Sequence, residues 1–289
     1  MHIFLALLVA LLVGCTSKQA LTVDAFSGEQ AMAFVAQQMD FGPRMPGTAS
    51  HAETADWIIK TLSEYGWQTR EQRFVYHDVE LRNLIAEKGA EDLPPIILGA
   101  HYDTRPHADQ DPQSPHFPVP GANDGASGVA VLLELARVLN LDQNQRPVWL
   151  VFFDGEDSGG IDGWEWIAGS SYFAEHLSTI PHAVVIVDMI GDQDLQIYYE
   201  RYSDPSLRTE IWQTADELGC EGFTAEEKYA MIDDHLPFVQ AGIPAVDLID
   251  FDYVFWHTTE DTMDKVSVDS LAQVGITLQT WLLSSLGEP

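Results

Sequence analysis

Cysteine and basic residues are both scarce in this chain. Only two of the 289 residues are cysteines, Cys15 and Cys220, so at most one disulfide can form and stability must come from the core or from a bound metal. Fourteen lysines and arginines stand against 45 aspartates and glutamates, which gives a formal net charge of −31. Such a charge repels nucleic acids and anionic lipid surfaces at long range, so we expect partners that are neutral, cationic or small.

The N-terminal apolar run is too short to span a bilayer comfortably. Residues 1–15 are typical of a secretion signal, and residues 12–15, LVGC, resemble the bacterial lipoprotein cleavage box, in which Cys15 becomes lipidated. We therefore expect a signal sequence and lipobox over 1–15, a polar tether over 16–24 and one globular domain over 25–289. The alternative is an uncleaved membrane anchor. Both readings predict an exported protein of the cell envelope whose membrane contact is limited to its N-terminus.

Helical and strand-like patterns alternate along the rest of the chain. The strand-like runs are residues 73–76, 82–86, 95–100, 148–153, 183–187 and 245–249, and the helical runs are 52–65, 127–139, 170–176, 206–218 and 268–282, after a first helix that Ser27 caps. This alternation predicts an α/β protein with a single domain of three α/β/α layers around a mostly parallel sheet. Residues 105–120 contain too many prolines for a regular element and are predicted to form a long surface loop beside a site.

Candidate metal ligands follow several of the predicted strands. The candidates are His101, Asp103, Asp124, Glu156, Asp157, Asp188 and His257. Taken singly, such a residue is more often structural, but the carboxyl ends of neighbouring parallel strands share one edge of the sheet, so these side chains are expected to meet. Imidazole and carboxylate ligands without thiolate suit zinc or a related divalent ion. A cation also explains the adjacent Glu156 and Asp157, because unpaired carboxylates are costly to bury.

From about residue 41 to residue 282 the chain resembles the zinc aminopeptidase and glutaminyl cyclase superfamily. The resemblance rests on the segments FGPRMPGT, AHYDTRP, GANDGASGVAVLLELAR, FFDGED, AGSSYFA, VDMIGD, DDHLPF and FWHTTEDTMD. It implies a mixed central sheet and assigns residues 25–289 to a catalytic domain of this superfamily. It also implies that Glu156 is the catalytic acid/base and that the five ligands of the two-zinc aminopeptidases correspond to His101, Asp124, Asp157, Asp188 and His257, with Asp124 bridging.

The usual acidic pair of the superfamily is Glu-Glu, whereas this chain has Glu156-Asp157. The second side chain is one methylene shorter, so the metal is expected to lie closer to the end of its strand.

Two sequence features resemble the cyclases more than the aminopeptidases. Trp256 directly precedes His257, and an aspartate pair, Asp233-Asp234, precedes His235. We therefore expect a glutaminyl-peptide cyclotransferase, which converts the N-terminal glutamine of peptides or proteins to pyroglutamate and releases ammonia. The resemblance then implies one zinc ion per chain on Asp124, Asp157 and His257, with Asp188 and Asp234 assisting Glu156 and with His101 not bound to the metal. Trp256, Phe255 and either Trp164 or Trp166 are expected to line the substrate pocket. The alternative is that the loop GWEWIAG uses its tryptophans to anchor itself to the core.

Two other functions fit the same sequence. A two-zinc aminopeptidase would use His101 and Asp188 for its second metal ion, and a lipid-tethered binding module would keep the fold without catalysis. We expect the protein to be a monomer whichever of these functions it has. The acidic composition predicts, independently of the reaction, that stability and activity rise with sodium chloride, because salt screens repulsion between carboxylates.

Overall fold

The computed structural model describes residues 25–90, 92–141 and 145–286. The signal sequence, Cys15 and the tether lie outside these residues, so they remain predictions. Within the described ranges, no helix combines the length and apolar character needed to cross a bilayer.

Seven α-helices and eight β-strands are present in the described part of the chain. The helices are α1 Gly28–Phe41, α2 Ala49–Glu64, α3 Ala126–Val138, α4 Ala168–Glu175, α5 Pro205–Leu218, α6 Leu236–Gln240 and α7 Val268–Ser285, with a 3₁₀ turn at Met263–Lys265. The strands are β1 Gln68–Tyr76, β2 Val79–Lys88, β3 Ile96–His101, β4 Val148–Phe153, β5 Ala183–Asp188, β6 Ile197–Tyr199, β7 Phe223–Glu227 and β8 Ala245–Ile249. Each predicted run corresponds to one of these elements, with ends shifted by several residues in the first two strands.

Six strands form the central sheet in the order β1-β2-β4-β3-β5-β8. Strands β4, β3, β5 and β8 are parallel, whereas β1 and β2 form an antiparallel hairpin that continues onto β4. The sheet is therefore mixed and mostly parallel, and the predicted fold class is confirmed. Because the four parallel strands are adjacent, their carboxyl ends share one edge of the sheet, and the loops that follow them are brought together there.

The sheet has a hydrophobic layer on each face because successive strand residues point to opposite sides. On β4, Leu150 and Phe152 join the large core beneath α1, α2, α3, α5 and α7, whereas Val151 and Phe153 pack with residues of α4 and α6 on the other face. Strand β3 alternates in the same way. Burial on both faces explains why these strands are continuous apolar runs.

The structure adds features that the sequence patterns did not predict, including the short helix α6. The β1–β2 hairpin is longer than expected because His77 and Asp78 both adopt positive φ, 47° and 62°, which permits a tight two-residue turn. Strands β6 and β7 form a separate two-stranded parallel sheet. Their short runs, IYY and FTAEE, carry too little periodicity to identify.

Candidate metal centre

The predicted ligands converge at the carboxyl edge of the parallel strands. His101 and Asp188 are the last residues of β3 and β5, and Asp124 lies just before α3. Asp157 follows β4 and His257 follows β8. The structure brings these five residues into two groups with ligand atoms within 4.8 Å of one another: Asp124, Asp157 and His257, and His101, Asp124 and Asp188. Asp124 belongs to both groups.

The group formed by Asp124, Asp157 and His257 fits a cation. Nε2 of His257 lies 3.1 Å from Oδ1 of Asp157 and 3.9 Å from Oδ2 of Asp124. All three residues are buried, yet neither oxygen of Asp157 nor Oδ2 of Asp124 has a hydrogen-bond partner among the described residues. Buried carboxylate oxygens are seldom left without a partner, and the mixture of imidazole and carboxylate suits zinc.

The second group places His101 inside the site. Its Nε2 lies 3.2 Å from Oδ1 of Asp124 and 3.1 Å from Oδ1 of Asp188. Burial opposes a charged ring, but the carboxylates of Asp103, Asp124 and Asp188 raise the pKa of His101 well above its usual value. These acids therefore favour the protonated form of the His101 ring in the metal-free protein.

Two buried carboxylates accept hydrogen bonds from the backbone of the loops that carry the candidate ligands. Asp103 accepts hydrogen bonds from the backbone N–H groups of Glu156 and Asp157, at 3.1 and 3.2 Å. Asp261 accepts them from Asn123 and Asp124, at 2.8 and 3.1 Å. Asp103 was a candidate ligand, but both of its oxygens are used in this way, and its role is to position the acidic pair. Asp261 lies in the segment FWHTTEDTMD, where sequence reasoning gave it no role.

Arg44 is a buried cation beneath the same loops. Its guanidinium donates to the carbonyl oxygens of Tyr102, Pro120 and Gly121, at 3.1, 3.0 and 2.6 Å. Burial lowers the pKa of Arg44 to about 10. Arg44 therefore fixes the backbone that leads into Asp124. Its segment, FGPRMPGT, was recognised from the sequence, but nothing in that segment indicated this contact.

Burial also changes the acidity of the carboxyl groups at the site. It raises the pKa of Glu156 well above its usual value, and the neighbouring Asp157 raises it further. Burial raises the pKa of Asp157 to about 6 and that of Asp188 to about 7. In the absence of metal, Asp157 and Asp188 therefore exchange protons close to neutral pH, and Glu156 holds its proton more tightly than an ordinary glutamate. A raised pKa in a cleft is a mark of a group that can carry protons in catalysis.

A cavity of about 220 Å³ opens beside the ligands. Its acidic wall consists of Asp124, Glu156, Asp157, Asp188 and Asp233, and its remaining lining is Trp166, Met189, Met231, Ile232, Ile249, Phe251, Trp256 and His257. The apolar residues from Met189 to Phe251 were not identified from the sequence. They lie in loops and at a strand end, where apolar side chains usually indicate packing.

The tryptophans differ in their positions. Trp256 stacks on the ring of His257 with centroids 3.7 Å apart, and Trp166 lies nearly parallel to the same ring at 5.9 Å. Both line the cavity. Trp164 lies outside the cavity lining and packs instead against Tyr76 and His77 of the β1–β2 hairpin. The loop GWEWIAG thus contributes one tryptophan to the cavity and uses the other to anchor itself.

The aspartate pair shows a similar division. Asp233 lines the cavity, whereas Asp234, which the resemblance had assigned to catalysis, is fully buried and absent from the described lining. Burial raises the pKa of Asp234 well above its usual value, and the charge of Asp233 adds to this. Asp233 is therefore the residue of the pair that lines the cavity in the described part of the chain. Neighbouring loop residues cannot be distinguished by sequence pattern, because their orientation depends on backbone dihedrals.

Comparison with known proteins reveals relatives with both candidate activities. The chain is similar to the glutaminyl cyclase of Porphyromonas gingivalis, with 36% identity and a TM-score of 0.86 over 91% of this chain and 99% of that one. It is also similar to a leucine aminopeptidase precursor of Bacteroides thetaiotaomicron, with 31% identity and a TM-score of 0.86 over 93% of this chain and 100% of that one. A glutaminyl-peptide cyclotransferase of Drosophila melanogaster is 25% identical over 275 residues, covering 80% of this chain and 75% of that protein.

Residues 83–282 match the model of Peptidase family M28. The match extends from β2 into α7 and includes every candidate ligand, Glu156 and both tryptophans of the cavity. The two groups of this chain that could hold a metal ion agree with the zinc dependence of that family. The chain belongs to Peptidase family M28.

Proposed function

We propose that the protein is a zinc-dependent glutaminyl-peptide cyclotransferase that acts on peptides or proteins with an N-terminal glutamine. The observation that carries the proposal is the stacking of Trp256 on His257 at 3.7 Å, which closes one side of the cavity directly beside a metal ligand. The similarity to cyclases over nearly the whole chain supports the same activity.

The cavity favours a single residue over an extended peptide. Its volume, about 220 Å³, lies below the range of roughly 300–1,000 Å³ typical of pockets for drug-sized ligands. Trp166, Trp256 and Phe251 offer apolar surface for the methylenes of a glutamine side chain, and the acids of the same lining offer hydrogen-bond acceptors for its amine and amide groups. The rest of the peptide would extend into solvent.

In the proposed reaction, the α-amine of glutamine attacks its own γ-carboxamide carbon. A new C–N bond closes the lactam ring, the bond to the amide nitrogen breaks, and ammonia leaves. Glu156 would accept a proton from the attacking amine and deliver it to the departing nitrogen. Its position in the cavity and its raised pKa both support this role. Because the nucleophile belongs to the substrate, positioning in the cavity contributes much of the rate.

Asp124, Asp157 and His257 would hold one zinc ion, since their unpaired oxygens and the Nε2 of His257 form a compact group. When bound, the ion supplies positive charge that polarises the amide carbonyl. Asp188 and Asp233 line the same cavity and would orient the substrate's amine and amide nitrogens through hydrogen bonds. Asp233 replaces Asp234 in this assignment because Asp234 is absent from the described lining.

Mass spectrometry of a glutamine-initiated peptide incubated with the zinc-loaded protein tests the proposal. We expect loss of ammonia from a peptide that otherwise stays intact. A parallel peptide beginning with glutamate controls for the substrate, and zinc analysis of the active protein should give one ion per chain. Release of the first amino acid, or an unchanged glutamine peptide, would contradict the proposed activity.

A two-zinc aminopeptidase is the second candidate. The observation that favours it is the group of His101, Asp124 and Asp188, which has the composition of a second metal site and shares Asp124 with the first. Two zinc ions per chain, together with release of leucine from a leucine-initiated peptide, would establish this activity.

We also propose that Cys15 carries a lipid that attaches the protein to the cell envelope, with the folded domain outside the cytoplasm. The support is the sequence LVGC at residues 12–15. The intact mass of the protein purified from membranes should correspond to a chain that begins at a lipidated Cys15. A Cys15→Ser variant should be released from the membrane fraction, and a wild-type chain that begins elsewhere would rule out this attachment.

A further inference from the structure

The proline-rich loop of residues 105–120 borders the metal centre, and its first residue enters it. Arg105 is only 3% exposed. One of its nitrogens, Nη1, donates to the carbonyl oxygens of Asp157 and Gly159, at 3.0 and 3.2 Å. The guanidinium carbon lies 4.7 Å from the centre of the Trp166 ring. Arg105 is therefore packed between a metal-ligand loop and a tryptophan of the cavity.

The same guanidinium makes a two-pronged contact with Asp109. Nε and Nη2 of Arg105 donate to the two carboxylate oxygens of Asp109, at 2.9 and 2.8 Å. A paired contact of this kind fixes the orientation of a carboxylate as well as its position. The fixed Oδ1 of Asp109 lies 3.3 Å from Nδ1 of His257. That buried nitrogen has no hydrogen-bond partner of standard geometry among the described residues, and the carboxylate of Asp109 lies within ion-pair distance of it.

The orientation of His257 requires such support. Its backbone has a φ of 55°, in the left-handed region, which is unfavourable for a residue with a side chain and persists only where tertiary contacts hold it. Trp166 and Trp256 restrict the plane of the ring by stacking. Stacking does not decide which ring nitrogen faces the cavity or which one carries the proton.

We infer that Asp109 is a positioning residue for His257: held by Arg105, it accepts the Nδ1 proton and thereby keeps Nε2 directed at Asp124 and Asp157. Metal-binding histidines usually donate their second ring nitrogen to such a partner. The inference rests on the zinc centre of the proposed function but is independent of which reaction that centre performs. It gives the loop 105–120 a role in metal retention.

Zinc affinity, measured by competition with a chromogenic chelator, tests this role. We expect Asp109→Ala to weaken zinc binding by about 10- to 100-fold, the usual effect of losing such a partner. Asp109→Asn keeps an acceptor oxygen but loses the charge, so it should give a smaller loss. Asp109 has a side chain that is 43% exposed, so the metal-free variants should melt near the wild-type temperature.

Two control variants separate the contact from other effects. Glu80→Gln removes one negative charge on the distant β1–β2 hairpin. Asp111→Asn weakens the attachment of the same loop, because Asp111 accepts hydrogen bonds from Gln113, Ser114 and Thr259 without contacting the His257 ring. Both should bind zinc nearly as tightly as the wild type. If Asp111→Asn weakens binding as much as Asp109→Ala, loop attachment explains the effect and the inference is wrong.

The visible spectrum of the cobalt-loaded protein gives a second readout, because the absorption of Co²⁺ depends on ligand geometry. Asp109→Ala should change this spectrum, and the control variants should not. The inference is overturned by an Asp109→Ala variant with wild-type spectrum and affinity, and equally by a wild-type protein that binds no zinc. Ammonia release does not enter the test, so a failed cyclase assay leaves its outcome unchanged.

Discussion

Replacing Glu156 with glutamine is the most direct test of catalysis by this site. The change keeps the size of the side chain and leaves the backbone N–H of residue 156 free to donate to Asp103. It removes the one cavity carboxylate that we assign neither to the metal nor to orienting the substrate. The wild-type residue is 8% exposed, and burial holds its pKa well above the usual value.

Loss of a positioned general acid/base reduces rates by about 10²- to 10⁴-fold, which corresponds to roughly 3–5 kcal/mol in the activation free energy. We expect Glu156→Gln to fall at the larger end, because a glutamine at this buried position can neither accept nor deliver the proton. The glutamine peptide should still bind with a similar KM. Zinc content should be unchanged, since Asp124, Asp157 and His257 are intact.

The assay is ammonia release from a glutamine-initiated peptide, with zinc analysis of each preparation. Glu165→Gln, in an exposed position of the nearby loop, is the matched control for loss of one charge and should keep wild-type kcat. A Glu156→Gln variant that retains more than about a tenth of wild-type kcat with full zinc content would refute the assignment of Glu156 as the proton carrier.

Three further predictions concern the cavity, pH and salt. Trp166→Ala should raise KM for a glutamine peptide, whereas Trp164→Ala should lower the melting temperature and leave KM unchanged, because only Trp166 of this pair lines the cavity. Burial raises the pKa of Asp188 and of Asp261 from 3.8 to about 7, so the folded metal-free protein binds more protons than the unfolded chain between these values. The melting temperature of the metal-free protein should therefore fall as pH rises from about 4 to 7. The increase in melting temperature on adding zinc should grow over the same range, because metal binding requires ionised carboxylates. A melting temperature that rises with pH in the absence of metal would contradict this prediction. The net charge of −31 predicts that melting temperature and activity both increase with sodium chloride, and a flat response would show that charge repulsion does not limit stability.

The sequence alone was sufficient to predict the fold class and the edge of the sheet at which the candidate ligands meet. Continuous apolar runs such as VWLVFF indicate strands buried on both faces, and strands buried in this way are parallel in α/β proteins. Once β3, β4, β5 and β8 are parallel neighbours, the residues that follow them must meet at one edge. Seven candidates were predicted to meet on this basis, and the family resemblance selected five of them as ligands. Those five, His101, Asp124, Asp157, Asp188 and His257, do lie together.

The roles of neighbouring residues depended on the tertiary structure. Asp103 is the same residue type as three of the candidate ligands, but its position behind the β4 loop directs both oxygens at backbone N–H groups. Asp233 and Asp234, like Trp164 and Trp166, are alike in type and nearly adjacent, and only the backbone path decides which of each pair faces the cavity.

Long-range partners were equally inaccessible to sequence patterns. Asp109 precedes His257 by well over a hundred residues, and its contact with Nδ1 exists because Arg105 is packed against the Asp157 loop. Periodicity reports which face of an element is buried, since that depends on local residue spacing. It carries no information about the direction of a side chain in a loop, because that direction is set by dihedral angles and packing that involve distant parts of the chain.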